Sequence, residues 1–183
     1  MGKIFNYNGI AQDIHFVGRE TEIKKLSSDF VFLTNTAILA PQGWGKSSLV
    51  RQAAKVASHK ERKLRFAYVD LSNVRNEERF YELLVCGVLR SVSSTQKEVL
   101  DNVGRYFTGF RPRISFGSDS VESLSVDFDW EDIRRNQDYL VDLPCTVAKD
   151  KGIKLVVCIE DLHAVSFFSD PEALLERLAQ RWK

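Results

Sequence analysis

The sequence predicts an α/β fold in which helices cover both faces of a mostly parallel sheet, giving three layers. The runs Leu64–Leu71 and Lys154–Glu160 are apolar and short, as expected of strands. Apolar residues between them recur at helical spacing over 77–92. Buried strands that are linked by helices are typical of parallel sheets with both faces covered.

The first part of the chain predicts two helices with a short strand between them. Glu20–Phe30 carries its apolar residues on one side, which indicates a helix. Ala37–Ala40 is predicted to be a short buried strand. A second helical pattern runs from Ser47 to about His59, and the strand Leu64–Leu71 follows it.

The middle of the chain predicts helices followed by a hairpin. A helix over about 95–107 follows the helix over 77–92. Apolar and polar residues then alternate in Arg113–Phe116 and in Leu124–Phe128, which is typical of half-buried strands. We therefore expect an inserted β-hairpin, or a longer loop with two short strands, over 108–130.

The last part predicts one helix on each side of the strand Lys154–Glu160. The first spans 132–149, and Pro144 is expected to bend or restart it because proline lacks a backbone N–H. Asp170 directly precedes Pro171, a pairing of N-cap and first-turn residues that starts a helix. The final helix is expected to run from there to the end of the chain.

The composition indicates one globular domain over residues 1–183. Hydrophobic residues make up 44% and charged residues 28%, as in globular proteins. The net charge of +1 indicates neither a nucleic acid nor a membrane as a partner. No apolar stretch reaches the roughly 18 residues of a membrane span. The cysteines Cys86, Cys145 and Cys158 are widely spaced and odd in number, which favours thiols over disulfides and a cytoplasmic location.

Residues 40–48 form the motif that says most about function. They read Ala-Pro-Gln-Gly-Trp-Gly-Lys-Ser-Ser between the predicted strand and helix, and only the usual first glycine of a phosphate-binding loop is missing. Gly43 and Gly45 let the backbone curl so that N–H groups point at a phosphate. Lys46 is expected to reach the β- and γ-phosphates, and Ser47 to ligate Mg²⁺. The next helix offers its N-terminus to the same anion.

The motif predicts that the chain binds ATP or ADP with Mg²⁺. The nucleotide contacts within the loop are expected from Pro41, Gln42, Gly43, Trp44, Gly45, Lys46, Ser47 and Ser48. Trp44 is open to two interpretations, since it either packs over the nucleotide or shields the loop. An ordinary glycine-rich turn is the alternative for the motif as a whole.

An acidic pair supplies the second half of the predicted site. Glu160 and Asp161 end the strand 154–160, and the ends of parallel strands gather at one edge of a sheet. In proteins with a phosphate-binding loop, the first acidic residue is usually an Asp that holds the metal and the second a Glu that orients the attacking water. In this chain the two residue types are reversed. Glu160 is thus expected to hold the metal and Asp161 to orient water. Binding should be less affected than hydrolysis, because a shift of about 1 Å can cost about a hundredfold in rate. Two solvated carboxylates that end a strand are the alternative. His163 either hydrogen-bonds near the γ-phosphate or is a plain loop histidine.

Phe16–Glu22 carries a Gly-Arg-Glu box some twenty residues before the loop. Box and loop together resemble AAA+-related ATPases of the archaeal and signalling (STAND) type, which also include origin-recognition ATPases. The resemblance implies that Val17, Gly18 and Arg19 contact the base. It also implies a P-loop NTPase sandwich.

Further similarity is to uncharacterised bacterial ATPases of the same type, through Pro41–Ser48, Tyr68–Leu71 and Ile153–Asp161. It covers nearly the whole chain. In that family a later strand lies between the phosphate-loop strand and the acidic strand, so we expect this chain to be the N-terminal part of a longer ATPase, or a gene product that is cut short there. Gln42 and Gly43 stand where the family has two arginines.

Three functions follow as hypotheses. The first is an ATPase core in which water attacks the γ-phosphate. The second is a nucleotide-dependent interaction or signalling module with little turnover, whose protein partner binds the 108–130 insertion or domains beyond this chain. The third is a DNA-associated ATPase, disfavoured by the near-neutral charge, although 59–65 is basic. Four residues are equal candidates for an arginine finger: Arg111, Arg113, Arg134 and Arg135.

Overall fold

The polypeptide divides into two compact units, with the boundary after Leu64. A computed structural model describes residue 16 and residues 18–117 and 120–182. The first unit contains the phosphate-loop motif. The second contains the β-strands, apart from Leu64, which is the first residue of the strand Leu64–Asp70. That the two units form the single domain expected from the sequence stays a prediction.

Two helices build the described part of the first unit. They are α1 (Glu20–Phe32) and α2 (Lys46–Lys60), and they pack against each other. Leu26 and Phe30 on α1 are buried, as are Leu49 and the alanines on the inner side of α2. Both helices therefore form where the apolar spacing predicts them, because each buries one stripe of side chains.

The predicted strand Ala37–Ala40 was wrong. These residues have no regular secondary structure, and Leu39 is 93% exposed. A four-residue strand satisfies its backbone groups only through a neighbouring strand. Within the described residues, no strand pairs with this segment.

The second unit is mixed α and β. Its strands are β1 (Leu64–Asp70), β2 (Arg113–Phe116), β3 (Leu124–Asp127) and β4 (Lys154–Glu160). Its α-helices are α3 (Glu77–Ser91), α4 (Gln96–Tyr106), α5 (Trp130–Lys151) and α6 (Pro171–Arg181), with a 3-10 helix over Leu162–Phe167. β1 and β4 form a short parallel sheet, so the α/β class predicted from the sequence is confirmed at that level.

Helix starts in this unit follow their capping residues. The side chains of Asn76, Thr95 and Asp170 each accept a hydrogen bond from a backbone N–H in the first turn. Pro171 occupies the first turn of α6, where its missing N–H costs nothing. These short polar residues fix the starts of α3, α4 and α6 locally, and the start predicted at Asp170 and Pro171 is confirmed.

β2 and β3 pair antiparallel, with Arg113 opposite Asp127 and Phe116 opposite Leu124. The pair lies where the alternating pattern predicts it, although β3 ends at Asp127. Leu124 and Val126 are buried, and β3 contacts α3. That this hairpin is an insertion stays a prediction.

The irregularity in α5 is not at the predicted position. The helix runs through Pro144 without interruption, and its one non-helical residue is Asn136, with φ −122° and ψ 17°. The Asn136 side chain donates a hydrogen bond of 2.7 Å to the carbonyl of Asp132. Asparagine competes with the helix in this way because its amide can bond to the backbone locally. A side-chain bond, and not the proline, therefore marks the kink.

Ion pairs attach α6 to α5. Arg177 and Arg181 on α6 both contact Asp138 on α5, with N···O distances of 3.1 and 2.6 Å, and Arg181 also pairs with Asp142. Leu174 and Leu178 of α6 are buried in the core of the unit. The helix is therefore held by buried leucines on one side and by ion pairs to α5 next to them.

Candidate phosphate-binding loop and acidic strand end

The backbone of the loop curls at its two glycines. Gly43 has a φ of +79° and Gly45 a φ of +70°, in the region that other residues enter only with strain. The Trp44 N–H donates to the Pro41 carbonyl across 3.4 Å, which closes a tight turn. The sequence therefore places glycine where this backbone needs it.

Lys46 reaches back across the loop. Its ammonium donates to the Ala40 carbonyl at 2.9 Å and to the Pro41 carbonyl at 3.2 Å. An ammonium has three N–H donors, so these two bonds leave one for an acceptor outside the loop. The positive charge is thereby held at the mouth of the turn instead of extending into solvent.

α2 begins at Lys46, directly after the loop. Its N-cap is Gly45, and no side chain caps the first turn. The first turn also lacks an acidic residue. The partial positive charge of this helix end is therefore opposed by no carboxylate of its own. Ser47, the expected metal ligand, lies in this turn, and Ser48 is buried.

Trp44 is 60% exposed, and Pro41, Gln42 and Gly43 are also exposed. An indole at a loop surface offers a flat apolar face to a ring ligand. The structure thus leaves both interpretations of Trp44 open.

The Gly-Arg-Glu box lies at the start of α1. Gly18 has a φ of +81°, and Arg19, the N-cap, has a φ of +59° with an exposed side chain. Val17 lies outside the described residues. Contact of these three residues with a base stays a prediction.

The acidic pair lies at the carboxyl end of β4 in the second unit. The Glu160 carbonyl accepts a hydrogen bond of 3.1 Å from the Leu71 N–H, which ties the end of β4 to the residue after β1. Asp161 has a φ of +55° and precedes the 3-10 helix. Aspartate is one of the few residues that enter this region often.

His163 lies beside Asp161, with 3.9 Å between Nδ1 and Oδ1, and both side chains are solvent-accessible. The distance exceeds that of a hydrogen bond. The pair is therefore a weak ion contact when the histidine is protonated.

The two halves of the predicted site are in different units. Residues 41–48 belong to the first unit and Glu160 and Asp161 to the second. Their meeting around one nucleotide stays a prediction. Among the described residues, no group of three or more histidine, cysteine, aspartate or glutamate side chains is arranged to hold a metal ion. The expected Mg²⁺ ligands are one serine, Ser47, and one carboxylate, Glu160, so the absence of such a group does not test them.

The four arginine-finger candidates have different surroundings. Arg111 and Arg113 lie before and at the start of β2. Arg134 lies over the Trp130 ring at 5.9 Å, and Arg135 pairs with Glu131 on the same helix at 3.4 Å. None of the four is in a loop at the carboxyl edge of the β1–β4 sheet.

Sequence reasoning missed Arg75, which does lie in such a loop. Its guanidinium carbon is 4.3 Å from the centre of the Phe167 ring. Its position a few residues after the predicted strand Leu64–Leu71 could have drawn attention to it, because ligands of parallel sheets bind near the carboxyl ends of strands. The pairing with Phe167 has no signal in the sequence.

Comparison with protein-family models, with curated proteins and with solved structures finds no match to this chain. In the part of the chain that the structure describes, no helix is both long and apolar enough to cross a lipid bilayer.

Proposed function

We propose that this chain is the ATP-binding core of a P-loop ATPase of the AAA+/STAND-related type, with ATP or ADP as its ligand. The phosphates bind in the loop 40–48, and the sheet belongs to a P-loop NTPase sandwich. Residues Val17, Gly18 and Arg19 contact the base. The observation that carries the proposal is the position of Lys46.

The Lys46 ammonium supports phosphate binding because two carbonyls of the same turn fix it. A cation that is already held in place loses little side-chain freedom when an anion arrives. The loop glycines curl the backbone next to the start of α2, where no side chain caps the first turn, and in this proposal the N–H groups there also bind the phosphates. An ordinary glycine-rich turn does not require these three features to occur together.

The donor set also suits Mg²⁺, which prefers oxygen ligands. In this proposal the Ser47 hydroxyl and the Glu160 carboxylate hold the ion, which supplies charge neutralisation at the phosphates when bound. Asp161 orients the water that attacks the γ-phosphate, and Lys46 stabilises the charge that develops there.

Calorimetric titration of the chain with ATP and with ADP, each with and without Mg²⁺, tests the proposal. We expect binding by the unmodified chain and its loss in Lys46→Ala. The matched control is Lys25→Ala, which removes an exposed lysine from α1 and leaves the loop intact. Equal ATP affinity in Lys46→Ala and the unmodified chain would reject the phosphate-loop assignment.

Trp44 provides a second, optical readout. Nucleotide bound in the loop lies next to this exposed indole, so we expect ATP to change the intrinsic fluorescence. The change should disappear in Trp44→Phe, while the other two tryptophans of the chain remain as an internal reference. A change that persists in Trp44→Phe would place the ligand elsewhere.

A nucleotide-dependent switch with little turnover is the second candidate. The reversed carboxylates favour it, since Asp161 is the shorter side chain and lies at a left-handed turn. It predicts ATP binding together with a slow turnover that Asp161→Asn scarcely alters. A large fall in turnover in that variant would favour the hydrolysing enzyme instead.

The protein partner of such a switch is proposed to bind the segment 108–130 or domains outside this chain. DNA is the least favoured partner, because the net charge is only +1. Location in the cytoplasm remains part of the proposal, and the buried thiols of Cys86 and Cys158 agree with a reducing compartment.

A further inference from the structure

Two loops leave the carboxyl edge of the β1–β4 sheet next to each other. One follows β1 and turns at Leu71, whose carbonyl accepts a hydrogen bond of 3.0 Å from the Val74 N–H. The other follows β4 and carries Asp161. The bond between the Leu71 N–H and the Glu160 carbonyl joins the two loops where they begin.

The loop after β4 is anchored unevenly. Ala164, Val165 and Phe168 are buried in the core, whereas Asp161 and His163 are exposed. The acidic end of this segment therefore has no buried side chain of its own. Its backbone at Asp161 is also left-handed, a conformation that is uncommon outside glycine although aspartate adopts it more often than most residues.

A cation–π contact bridges the outer side of the two loops. The Arg75 guanidinium carbon lies 4.3 Å from the centre of the Phe167 ring, well inside the range of such contacts. Phe167 is 56% exposed and Arg75 is exposed. Among the described residues no carboxylate is within salt-bridge distance of Arg75, although Glu78 and Glu82 line the same surface pocket.

We propose that Arg75 is a positioning residue for the acidic strand end: stacked on Phe167, it holds the 3-10 segment 162–167 against the loop after β1. The segment then keeps Asp161 in one orientation relative to Glu160. The link between Arg75 and turnover rests on the proposed function, but the positioning itself does not.

Amide hydrogen exchange of the whole chain tests the positioning. The Ala164 N–H donates to the Asp161 carbonyl at 2.9 Å, and the Phe168 N–H donates to the Val165 carbonyl at 3.0 Å. In Arg75→Gln we expect both amides to exchange about two- to fivefold faster, which is the factor that an exposed cation–π contact contributes. Amides of the β2–β3 hairpin should exchange at unchanged rates.

Arg134→Gln is the matched control, because it removes an arginine that also lies over an aromatic ring, at α5. It should leave the Ala164 and Phe168 amides unchanged. In a Phe167→Leu background, Arg75→Gln should add no further increase, because the ring through which it acts is gone. Arg75→Lys should restore part of the protection, since an ammonium also contacts a ring.

Nucleotide binding and turnover on the same samples separate this inference from the proposed function. We expect ATP affinity to be unchanged in Arg75→Gln and any turnover to fall. Unchanged amide exchange in Arg75→Gln, or an equal increase in Arg134→Gln, would overturn the positioning role whether or not ATP binds. If the unmodified chain does not bind ATP, only the proposed function is rejected.

Discussion

The hydroxyl of Tyr81 donates a hydrogen bond of 2.9 Å to the Glu77 carboxylate, one helical turn earlier on α3. Tyr81 is fully buried. Arg177 of α6 donates to the Tyr81 oxygen at 2.8 Å, and Gln137 of α5 donates to Glu77 at 3.1 Å. The phenol therefore joins three helices through one polar cluster inside the second unit.

Replacing this phenol is expected to destabilise the chain. Tyr81→Phe removes the donor to Glu77 and the acceptor of Arg177, and a lost bond to a buried charged group costs about 1–3 kcal/mol. The free energy of unfolding in urea measures it. Arg135→Ala, which breaks an exposed pair on α5, should change stability by less than about 1 kcal/mol. Equal small effects of both substitutions would contradict the cluster's role.

Tyr106 is expected to ionise late in an alkaline titration. Burial, the hydrogen bond to Asp150 and the negative charge of Asp150 raise the pKa of Tyr106 from 10.0 to about 12. The folded state thus keeps a proton that the unfolded state releases near pH 10.0, the unperturbed value. The stabilisation is complete below that pH and is lost as the pH rises towards about 12.

Phenolate absorbance measures this titration, and Tyr106→Phe should remove a late-ionising group. Burial also raises the pKa of Tyr81 and of Tyr139, so part of the late ionisation should remain in the variant. Titration of all tyrosines near their ordinary pKa in the folded chain would show that the prediction is wrong.

The loop glycines are expected to be required for their backbone conformation alone. A Cβ at Gly43 or Gly45 would meet nothing within 4 Å, but both residues have positive φ. Alanine there costs about 1–2 kcal/mol of backbone strain, which either destabilises the chain or distorts the loop. We expect ATP affinity to fall about tenfold or more, since about 1.4 kcal/mol is a factor of ten. Undiminished affinity in both variants would show that the curled backbone is unnecessary for binding.

Gly87 is expected to be required for a different reason, which is space. A Cβ on this α3 residue would lie 2.8 Å from the backbone carbonyl oxygen of Tyr68 in β1. The helix would have to move away from the strand, so Gly87→Ala should destabilise by about 1–3 kcal/mol.

Gly104→Ala is the matched control for the glycine substitutions. Gly104 is on α4 without positive φ, and a Cβ there meets nothing within 4 Å. Its replacement should stabilise the helix by about 0.5–1 kcal/mol. Thermal unfolding of the variants checks the sign of each effect, and destabilisation by Gly104→Ala would remove the basis for the comparison.

Elements with local signals could be predicted from the sequence. The start of α6 follows from Asp170 before Pro171, since capping involves residues a few positions apart. The span of α3 follows from its apolar spacing. The strand β4 has the predicted bounds, because its continuous apolar run differs from the helical patterns around it. The turns at Gly43 and Gly45 also follow, as glycine accepts positive φ without strain.

Predictions that depended on partners distant in sequence were less reliable. Ala37–Ala40 has the composition of a strand but forms none, because a strand requires a paired neighbour. The α5 irregularity at Asn136 instead of Pro144 is a separate case, because the bond from Asn136 to the Asp132 carbonyl is local and the asparagine was overlooked in favour of the proline. The meeting of the loop with Glu160 and Asp161 depends, as a strand at 37–40 does, on residues far apart in the sequence, and it stays a prediction.

The sequence by itself determined the phosphate-loop motif, the capped start of α6 and the apolar strands β1 and β4, because each arises from residues that are neighbours along the chain. The tertiary structure decided that Lys46 folds back onto the carbonyls of Ala40 and Pro41, that Tyr81 links α3 to α6, and that Arg75 meets Phe167. The last two contacts join residues about 90 positions apart or more, and their cost in chain entropy is met only when the whole unit folds.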